Sequence, residues 1–417
     1  MSGYTDNRTQ IKKALGVLSQ KIPAELKEVE RQGFIGNVLT PKLPDDYRSL
    51  LKEFFDELLL KMREHEASDI DFGGQGSNKR IWLRVHGLKK PFEQFGVFTC
   101  DEFSILIQSQ LTESQRRQLY ENRSIDFHYV IQSTADNSIR YRAHAYFELS
   151  DIALNMRAIN TDIRQYQSYG FHNRVSKVFN LKHSKQGLIL VTGITGSGKS
   201  TTLDAIVDLN NQSIDAHIII LASPVEFIHT SNRSIIRHRE VGSDTLSFRR
   251  GIVESLRQDP DIIIIGEMRD PETIIAALEA ADSGHKVFST LHTSSATESI
   301  DRIIAEVPVS DRERVRHRLA DILKCVVSQK LVPGVDGKLV LAKEVLAMLP
   351  SVKAAIKNNN TGEIYQMLSE GREHGMMTME QDLRRLCHSG KISQETALNF
   401  ANNKRRMGQL LQSEMLF

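Results

Sequence analysis

Residues 193–201, Gly-Ile-Thr-Gly-Ser-Gly-Lys-Ser-Thr, restrict the possible folds of this chain more than any other stretch. They fit the pattern of a glycine, four residues and then Gly-Lys followed by Ser or Thr. The apolar run 187–191 before them is typical of a buried parallel strand. Residues 202–207 contain no helix breaker and predict a helix with Leu203 and Val207 on one side. The motif therefore lies between a strand and a helix, which is the context it needs.

The residue types of this loop suit a polyphosphate. Glycines let the backbone turn its N–H groups inward, and the N-terminus of the following helix adds positive potential. We expect the Lys199 ammonium to reach the β- and γ-phosphates and the Ser200 hydroxyl to ligate Mg²⁺. A glycine-rich turn with a surface lysine is the weaker interpretation. The candidate binding residues are Gly193, Ile194, Thr195, Gly196, Ser197, Gly198, Lys199, Ser200 and Thr201.

The bulk composition is that of an ordinary globular protein. The chain has 417 residues, enough for two or three domains, with 40% hydrophobic and 25% charged residues. A net charge of +2 gives no general attraction to nucleic acid or anionic membranes. Its three cysteines lie far apart, which favours a reducing compartment. The polar start of the chain and the lack of a membrane-spanning apolar run predict a cytoplasmic protein, compatible with docking on a membrane complex.

The first half of the chain predicts an α+β domain. Helical spacing of apolar residues marks 47–65, and 99–110 is a second helix. Charged and apolar residues alternate at 80–85, as in a half-buried strand. Further strands are predicted at 124–132, 138–148 and 151–159, as in an antiparallel sheet. Residues 1–50, with three prolines, are interpreted as a loosely attached extension.

The second half alternates apolar strands with amphipathic helices, which predicts a parallel sheet covered by helices. Asp270 is the expected cap of one helix, with Pro271 in its first turn. The predicted parts are an extension at 1–50, an α+β domain at 51–165, an α/β domain with the phosphate-binding loop at 166–345 and a helical module at 346–417. The polar stretch 160–186 is the expected linker between the two domains.

Two further side chains follow predicted strands of this sheet. Glu267 comes after the isoleucine run 262–265, and ligands bind at the carboxyl ends of strands in open α/β sheets. Beside a nucleotide loop this carboxylate can polarise an attacking water or hold Mg²⁺ through water. His292 follows the next strand and is suited to sensing the γ-phosphate. The alternatives are a surface glutamate at a strand end and a structural histidine.

With these residues in place, the chain resembles the secretion ATPase superfamily of type II secretion and type IV pili. It is most similar to the type IV pilus retraction ATPases, the motors of twitching motility. The resemblance covers about residues 67 to 390 and is dense between 187 and 332. It is carried by 193–202, by Asp-Pro-Asp-Ile-Ile-Ile-Ile-Gly-Glu-Met-Arg-Asp at 259–270, by Gly-His-Lys-Val-Phe-Ser-Thr-Leu-His-Thr at 284–293 and by Ser-Gln-Lys-Leu-Val at 328–332.

The resemblance implies a PAS-like α+β domain followed by a RecA-like ATPase domain. Six such chains would form a ring with ATP at domain and subunit borders. Glu267 would be the catalytic glutamate and His292 the family's box histidine. Arg140, Arg142 and Arg157 match regions whose arginines approach the bound phosphates in the family, where added positive charge speeds phosphoryl transfer. The alternative for the arginines is ordinary charge on a strand face.

Two segments depart from the family pattern. An acidic box that normally reads Glu-Asp-Pro-x-Glu reads Ala-Ser-Pro-Val-Glu at 222–226, so Glu226 is the carboxylate that remains. Fewer carboxylates near Mg²⁺ should weaken metal positioning and slow hydrolysis. The retraction signature at 351–358 keeps its apolar spacing and basic positions but little else.

The leading hypothesis is an ATP-hydrolysing ring motor of a type IV pilus or related secretion machine. ATP and Mg²⁺ are the expected cofactors, a homo-oligomer the expected assembly and an inner-membrane platform protein the expected partner. The alternative is a weakly hydrolysing structural partner of an active paralogous ATPase. A small-molecule kinase leaves the large first domain unexplained. A nucleic-acid motor is disfavoured because Lys and Arg, 54 in all, are nearly balanced by 52 acidic residues.

Overall fold

The computed structural model describes residues 2–85, 87–134, 137–159 and 163–412. The chain divides into two compact units, Met1–Thr161 and Asp162–Phe417. The start of the expected linker, at 160–162, lies outside the described residues.

The first unit is an antiparallel sheet covered by helices. Its described strands form one six-stranded sheet in the order β3-β2-β1-β6-β5-β4. The strands are β1 Ala67–Gly73, β2 Trp82–Val85, β3 Leu88–Pro91, β4 Ser124–Thr134, β5 Asn137–Glu148 and β6 Asp151–Ala158. The helices are α1 Ser2–Ser19, α2 Glu28–Phe34, α3 Asp45–Glu64, α4 Cys100–Ser109 and α5 Glu113–Asn122. The predicted α+β organisation is confirmed for this unit.

Helix α3 shows why these elements form. Its buried side chains recur three or four residues apart, so one stripe of the helix faces the core while the charged residues between them face water. Tyr141 of β5, fully buried, donates a hydrogen bond to the Leu59 carbonyl of α3 at 2.9 Å. The buried residues of α3 are Leu51, Phe54, Phe55, Leu58, Leu59 and Met62.

The interpretation of residues 1–50 as a loosely attached extension differs from the structure. Ile11, Leu15 and Leu18 of α1 are at most 1% exposed and belong to the hydrophobic core of the first unit. The Arg31 guanidinium binds both carboxylate oxygens of Asp101 at 2.6 and 2.8 Å. The three prolines suggested a loop-rich tail. However, apolar residues at helical spacing give α1 a hydrophobic face, and this face packs against α3 and α4.

The second unit is built on a mixed sheet of seven described strands in the order β13-β12-β7-β11-β10-β8-β9. All neighbours are parallel except the β12–β13 pair. The strands are β7 Gly187–Thr192, β8 His217–Ala222, β9 Ile235–Glu240, β10 Ile262–Ile265, β11 Lys286–Leu291, β12 Leu323–Pro333 and β13 Leu339–Ala347. The helices are α6 Asn173–Phe179, α7 Lys199–Ser213, α8 Phe248–Ser255, α9 Pro271–Asp282, α10 Ala296–Glu306, α11 Arg312–Ile322, α12 Pro350–Lys357, α13 Ile364–Glu370, α14 Met379–His388, α15 Gln394–Phe400 and α16 Lys404–Gln412.

Helices cover this sheet on both faces. Leu188 and Leu190 of β7 pack in one hydrophobic cluster, whereas Ile189 and Val191 pack in another on the opposite face. Both sides of a central strand are therefore buried, which explains why β7 is a continuous apolar run. The predicted α/β fold with a parallel sheet is confirmed.

The last helices pack against the end of the same sheet. Leu383 and Leu386 of α14 and Met407 of α16 are buried in a cluster with Val332 of β12 and Ala342 of β13. The predicted helical character after residue 345 is present, and these helices share a core with the β12–β13 hairpin. None of the helices in the described part of the chain combines the length and apolar composition needed to cross a membrane.

Candidate active site

Four neighbouring parallel strands bring the predicted site residues to one edge of the second sheet. In spatial order these strands are β7, β11, β10 and β8. Residues 193–198 follow β7, His292 follows β11, Glu267 follows β10 and Glu226 follows β8. Parallel strands end at the same edge, so residues separated by up to 99 positions in the sequence become neighbours.

The loop after β7 has a backbone that needs glycine. Gly193, Gly196 and Gly198 all have positive φ, at 149°, 79° and 86°. A Cβ atom on Gly193 would lie 2.3 Å from Ser197 Oγ and 2.5 Å from the Gln329 carbonyl oxygen. Gly198 is the N-cap of α7, so the loop opens directly into the positive end of a helix.

Lys199 is buried within this loop. Its ammonium group donates to the Gly193 and Ile194 carbonyls at 2.9 and 3.0 Å. Burial lowers the pKa of Lys199, while the negative charges of Glu267 and Glu226 act to raise it. The two carbonyl partners are neutral, so the ammonium group, which faces two carboxylates, can still bind the anionic oxygens of a phosphate chain.

Two hydroxyl groups of the loop suit the predicted binding of phosphate and Mg²⁺. Ser197 is 2% exposed, and its Oγ has no hydrogen-bond partner among the described residues. An orphaned buried donor beside three left-handed glycines is consistent with a phosphate-binding cradle. Ser200 is exposed in the first turn of α7, where its hydroxyl is available as a Mg²⁺ ligand. The donors present therefore fit Mg-ATP.

A buried polar network lies behind the loop and joins side chains to which the sequence assigned no role. Thr202 Oγ1 and the Gln329 amide lie 2.8 to 3.2 Å apart, which ties the first turn of α7 to β12. Thr192 Oγ1 lies 2.8 Å from Ser328 Oγ and accepts from Ser299 Oγ at 3.3 Å. The sequence signals for these residues were two family-like runs, 193–202 with Thr202 and 328–332 with Ser328 and Gln329, whereas Thr192 and Ser299 lie outside both.

Glu267 and His292, which follow the neighbouring parallel strands β10 and β11, lie close together. His292 Nε2 is 3.7 Å from Glu267 Oε2, and Arg269 Nε is 2.7 Å from the same oxygen. The backbone beside them is fixed because the Thr290 hydroxyl donates to the Gly266 carbonyl at 2.6 Å. Burial and the charge of Lys199 lower the pKa of His292, while Glu267 acts to raise it. A half-buried carboxylate and an imidazole whose neutral form is favoured thus face the loop.

The carboxylate of Glu226 sits on an irregular segment after β8. Glu226 is exposed, and its charge acts on Lys199. At the end of β8, Ala222 pairs in register with Glu240 of β9 and packs against Gly266. The segment thus brings one of the carboxylates of the family's acidic box toward the loop, and the small Ala222 fills the space beside Gly266.

The three candidate arginines belong to the first unit. Arg142 of β5 and Arg157 of β6 are directly opposite each other in the antiparallel register. Arg157 Nε donates to the buried Asp69 carboxylate at 2.8 Å, and Arg142 lies 3.8 Å from Asp126. Arg140 lies two residues before Arg142 on β5, is partly buried and pairs with Val130 of β4. The fold therefore brings Arg142 and Arg157 together, while their approach to a phosphate stays a prediction.

Comparison with known proteins supports the resemblance to the secretion ATPase superfamily. The sequence profile of the family "Type II/IV secretion system protein" matches residues 45–414. A twitching motility protein of Neisseria gonorrhoeae is 36% identical over 326 residues, covering 78% of this chain and 85% of the relative. The type IV pilus ATPase PilU of Pseudomonas aeruginosa is 34% identical over 350 residues, covering 84% and 89%.

A solved structure shares both sequence and fold with this chain. The crystal structure of the pilus retraction motor PilT with bound ADP superposes with a TM-score of 0.76 at 34% identity. The match covers 85% of this chain and 98% of that one. The predicted fold class and the predicted superfamily are both confirmed, and the chain belongs to the type II/IV secretion system protein family.

Proposed function

We propose that this chain is an ATPase that drives a type IV pilus, in retraction or twitching motility, or a related secretion machine. The observation that carries the proposal is the convergence of Lys199, Glu267 and His292 on one sheet edge beside a glycine-rich loop. Family membership and the ADP bound to the similar PilT structure support it.

Each residue of the site has a defined task in this proposal. The amides of 193–198 and the Lys199 ammonium bind the phosphates, and Ser200 holds Mg²⁺. Magnesium, when bound, neutralises the charge that develops on the phosphates. Glu267 orients the attacking water and accepts its proton, Glu226 would help hold the metal, and His292 hydrogen-bonds the γ-phosphate. Arg140, Arg142 and Arg157 would add positive charge in the transition state.

The assembly around this site is proposed from the relatives. A ring of six copies would place the arginine-bearing unit and the ATPase unit of different copies within reach of one another, and ATP turnover would swing one against the other. The ring would dock peripherally on an inner-membrane platform protein from the cytoplasmic side. The twitching motility protein and the type IV pilus ATPase PilU among the relatives support this setting.

A steady-state phosphate-release assay tests the proposal, together with Mg-ADP binding followed by thermal shift. We expect the native chain to release phosphate and to gain stability with nucleotide, by about 2.7 kcal/mol at 100 times Kd. Lys199→Ala should lose the thermal shift, whereas Glu267→Gln should keep it and lose hydrolysis. A native chain that neither binds Mg-nucleotide at millimolar concentration nor releases phosphate would refute the proposal.

Ala222 and Ser223 favour a second candidate, a weakly hydrolysing partner of an active paralogous ATPase. Under this alternative, Ala222→Glu with Ser223→Asp should raise kcat, because added carboxylates improve metal positioning. Unchanged turnover in the double variant would argue against this candidate.

A further inference from the structure

Residues 223–234 connect β8 to β9 without regular secondary structure, and they carry Glu226. Glu226 is exposed, so no packing of its own side chain fixes its position. Its neighbours Val225 and His229 are 5% and 4% exposed. The position of this carboxylate therefore depends on what holds the buried residues on either side of it.

One anchor comes from β9. The Glu240 carboxylate accepts a hydrogen bond from the Val225 backbone N–H at 3.0 Å. Glu240 is itself fixed, because its N–H donates to Asp244 Oδ2 at 2.8 Å and it pairs with Ala222 in the sheet. The residue directly before Glu226 is thus tied to the edge strand.

The second anchor joins the segment to the helix of the phosphate-binding loop. His229 Nε2 lies 3.1 Å from Asp204 Oδ1 of α7, and the His229 side chain is 1% exposed. Because a carboxylate only accepts, this contact places the ring proton on Nε2. The His229 backbone N–H donates to His238 Nε2 of β9 at 3.0 Å, and the two rings stack with centroids 5.9 Å apart.

A second residue of α7, Asn211, also binds the segment 223–234. Asn211, seven residues after Asp204 and so on the same helix face, donates to the Thr230 carbonyl at 2.9 Å and accepts from Asn232 N at 2.9 Å. The segment therefore lies along α7, whose first residue is Lys199. Asp204 is five residues after Lys199, and His229 is three residues after Glu226.

We infer that the Asp204–His229 pair and Glu240 are positioning residues that hold Glu226 at a set distance from Lys199. The inference rests on the proposed role of Glu226 at the metal. A rigid helix links Asp204 to the loop that grips the phosphates, so any movement of that helix also carries Glu226. An error of about 1 Å in such a geometry can cost on the order of 100-fold in rate.

The test compares kcat, KM and Mg-ADP affinity for Asp204→Ala, Asp204→Asn and Asp208→Ala in the full chain. Asp208 lies one turn later on the same helix and makes an exposed bond to Gln212, so it is the matched control. We expect Asp204→Ala to lower kcat about 10- to 100-fold with KM within about twofold. Asp204→Asn, whose amide oxygen can still accept from His229, should restore most of the rate. Asp208→Ala should match the native chain.

A double-mutant cycle separates positioning from general damage. If Asp204 acts through Glu226, adding Asp204→Ala to Glu226→Gln should lower kcat by no more than about twofold further. Glu240→Ala should show the same non-additivity from the other anchor, with rescue by Glu240→Gln. Additive losses, or a native kcat in Glu226→Gln, would overturn the inference while leaving ATP hydrolysis by the native chain intact.

Hydrogen exchange provides a readout that does not need turnover. The amides of Val225 and His229 should exchange faster in Asp204→Ala than in Asp208→Ala. Equal protection in the two variants would overturn the inference.

Discussion

Arg269 Nε lies 2.7 Å from Oε2 of Glu267, the residue two positions earlier in the chain. The same oxygen is 3.7 Å from His292 Nε2. The Glu267 side chain is 19% exposed, whereas that of Arg269 is 71% exposed. Arg269 therefore reaches back from solvent to a half-buried carboxylate and restricts its rotamer at the sheet edge.

Arg269→Gln should lower kcat about tenfold while KM for Mg-ATP changes less than about twofold, since it removes orientation of the base and leaves phosphate binding intact. Steady-state kinetics measure both values. Arg249→Gln is the control, because Arg249 makes an exposed ion pair with Glu272 at 3.7 Å and has no other ion pair among the described residues. Native kcat in the Arg269 variant would show that the ion pair does not orient Glu267.

Gly193→Ala should abolish nucleotide binding and destabilise the chain by more than about 3 kcal/mol. Its Cβ would meet the Gln329 carbonyl at 2.5 Å, in addition to the strain of a positive φ. Gly337→Ala has a similar need for positive φ, at 77°, but meets nothing within 4 Å, so it should cost only about 1–2 kcal/mol. Urea unfolding and Mg-ADP binding measure the two effects. Equal costs would contradict the steric account.

A comparison of Arg157→Ala with Arg84→Ala separates a structural role of the Arg157 charge from a catalytic one. Both arginines pair with the buried Asp69 carboxylate, at 2.8 and 3.8 Å. Arg157→Ala should lower the free energy of unfolding by about 1–3 kcal/mol because Asp69 loses a hydrogen bond. Arg84→Ala should lower it by about 1 kcal/mol or less, because its ion pair is longer and exposed to solvent. If Arg157 also approaches phosphate, only Arg157→Ala should lower kcat, by about 10- to 1,000-fold. Equal ATPase rates in the two variants would assign Arg157 a structural role alone.

Glu344 should make stability depend on pH. This carboxyl accepts from Ala296 N of α10 at 2.8 Å and Met379 N of α14 at 3.4 Å, and burial raises its pKa to about 7. Because the folded state holds its proton more tightly, the native chain should lose stability as pH rises from about 4.5 to 7, by no more than about 3 kcal/mol.

Urea unfolding of the native chain and of Glu344→Gln at about pH 5 and pH 8 measures this contribution. The difference in unfolding free energy between the native chain and the variant should be smaller at about pH 8 than at about pH 5, because the glutamine cannot titrate. A difference that is constant or rises with pH would contradict it. Nucleotide must be omitted, since binding adds its own pH-dependent stabilisation.

Much of the second unit follows from local patterns. The isoleucine run at 262–265 and the cap at Asp270 with Pro271 each predict their element, and the structure has β10 and α9 there. The Asp270 side chain caps the N-terminus of α9, because its carboxylate accepts a hydrogen bond from Thr273 N at 2.8 Å. Strand β9 runs from Ile235 to Glu240, but its residues after Ile236 give little local strand signal, because they are polar or charged and lie on an edge strand.

The N-terminal segment shows where local patterns mislead. Its prolines and charges favoured a loose extension, yet Leu15 is fully buried. Burial depends on which surfaces the rest of the fold leaves uncovered, so the helical spacing of Ile11, Leu15 and Leu18 could not by itself show that they are buried.

The sequence by itself determined the phosphate-binding loop, because glycine positions, Lys199 and the flanking strand and helix are all local. It also determined that Glu267 and His292 follow strands. Only the tertiary structure decided that Arg269 contacts Glu267, that His229 contacts Asp204 and that Arg142 faces Arg157. Strand register sets the Arg142–Arg157 pair, and packing of the β8–β9 segment on α7 sets the His229–Asp204 contact. Arg269 and Glu267 are two positions apart, and their contact depends on the path of the chain after β10.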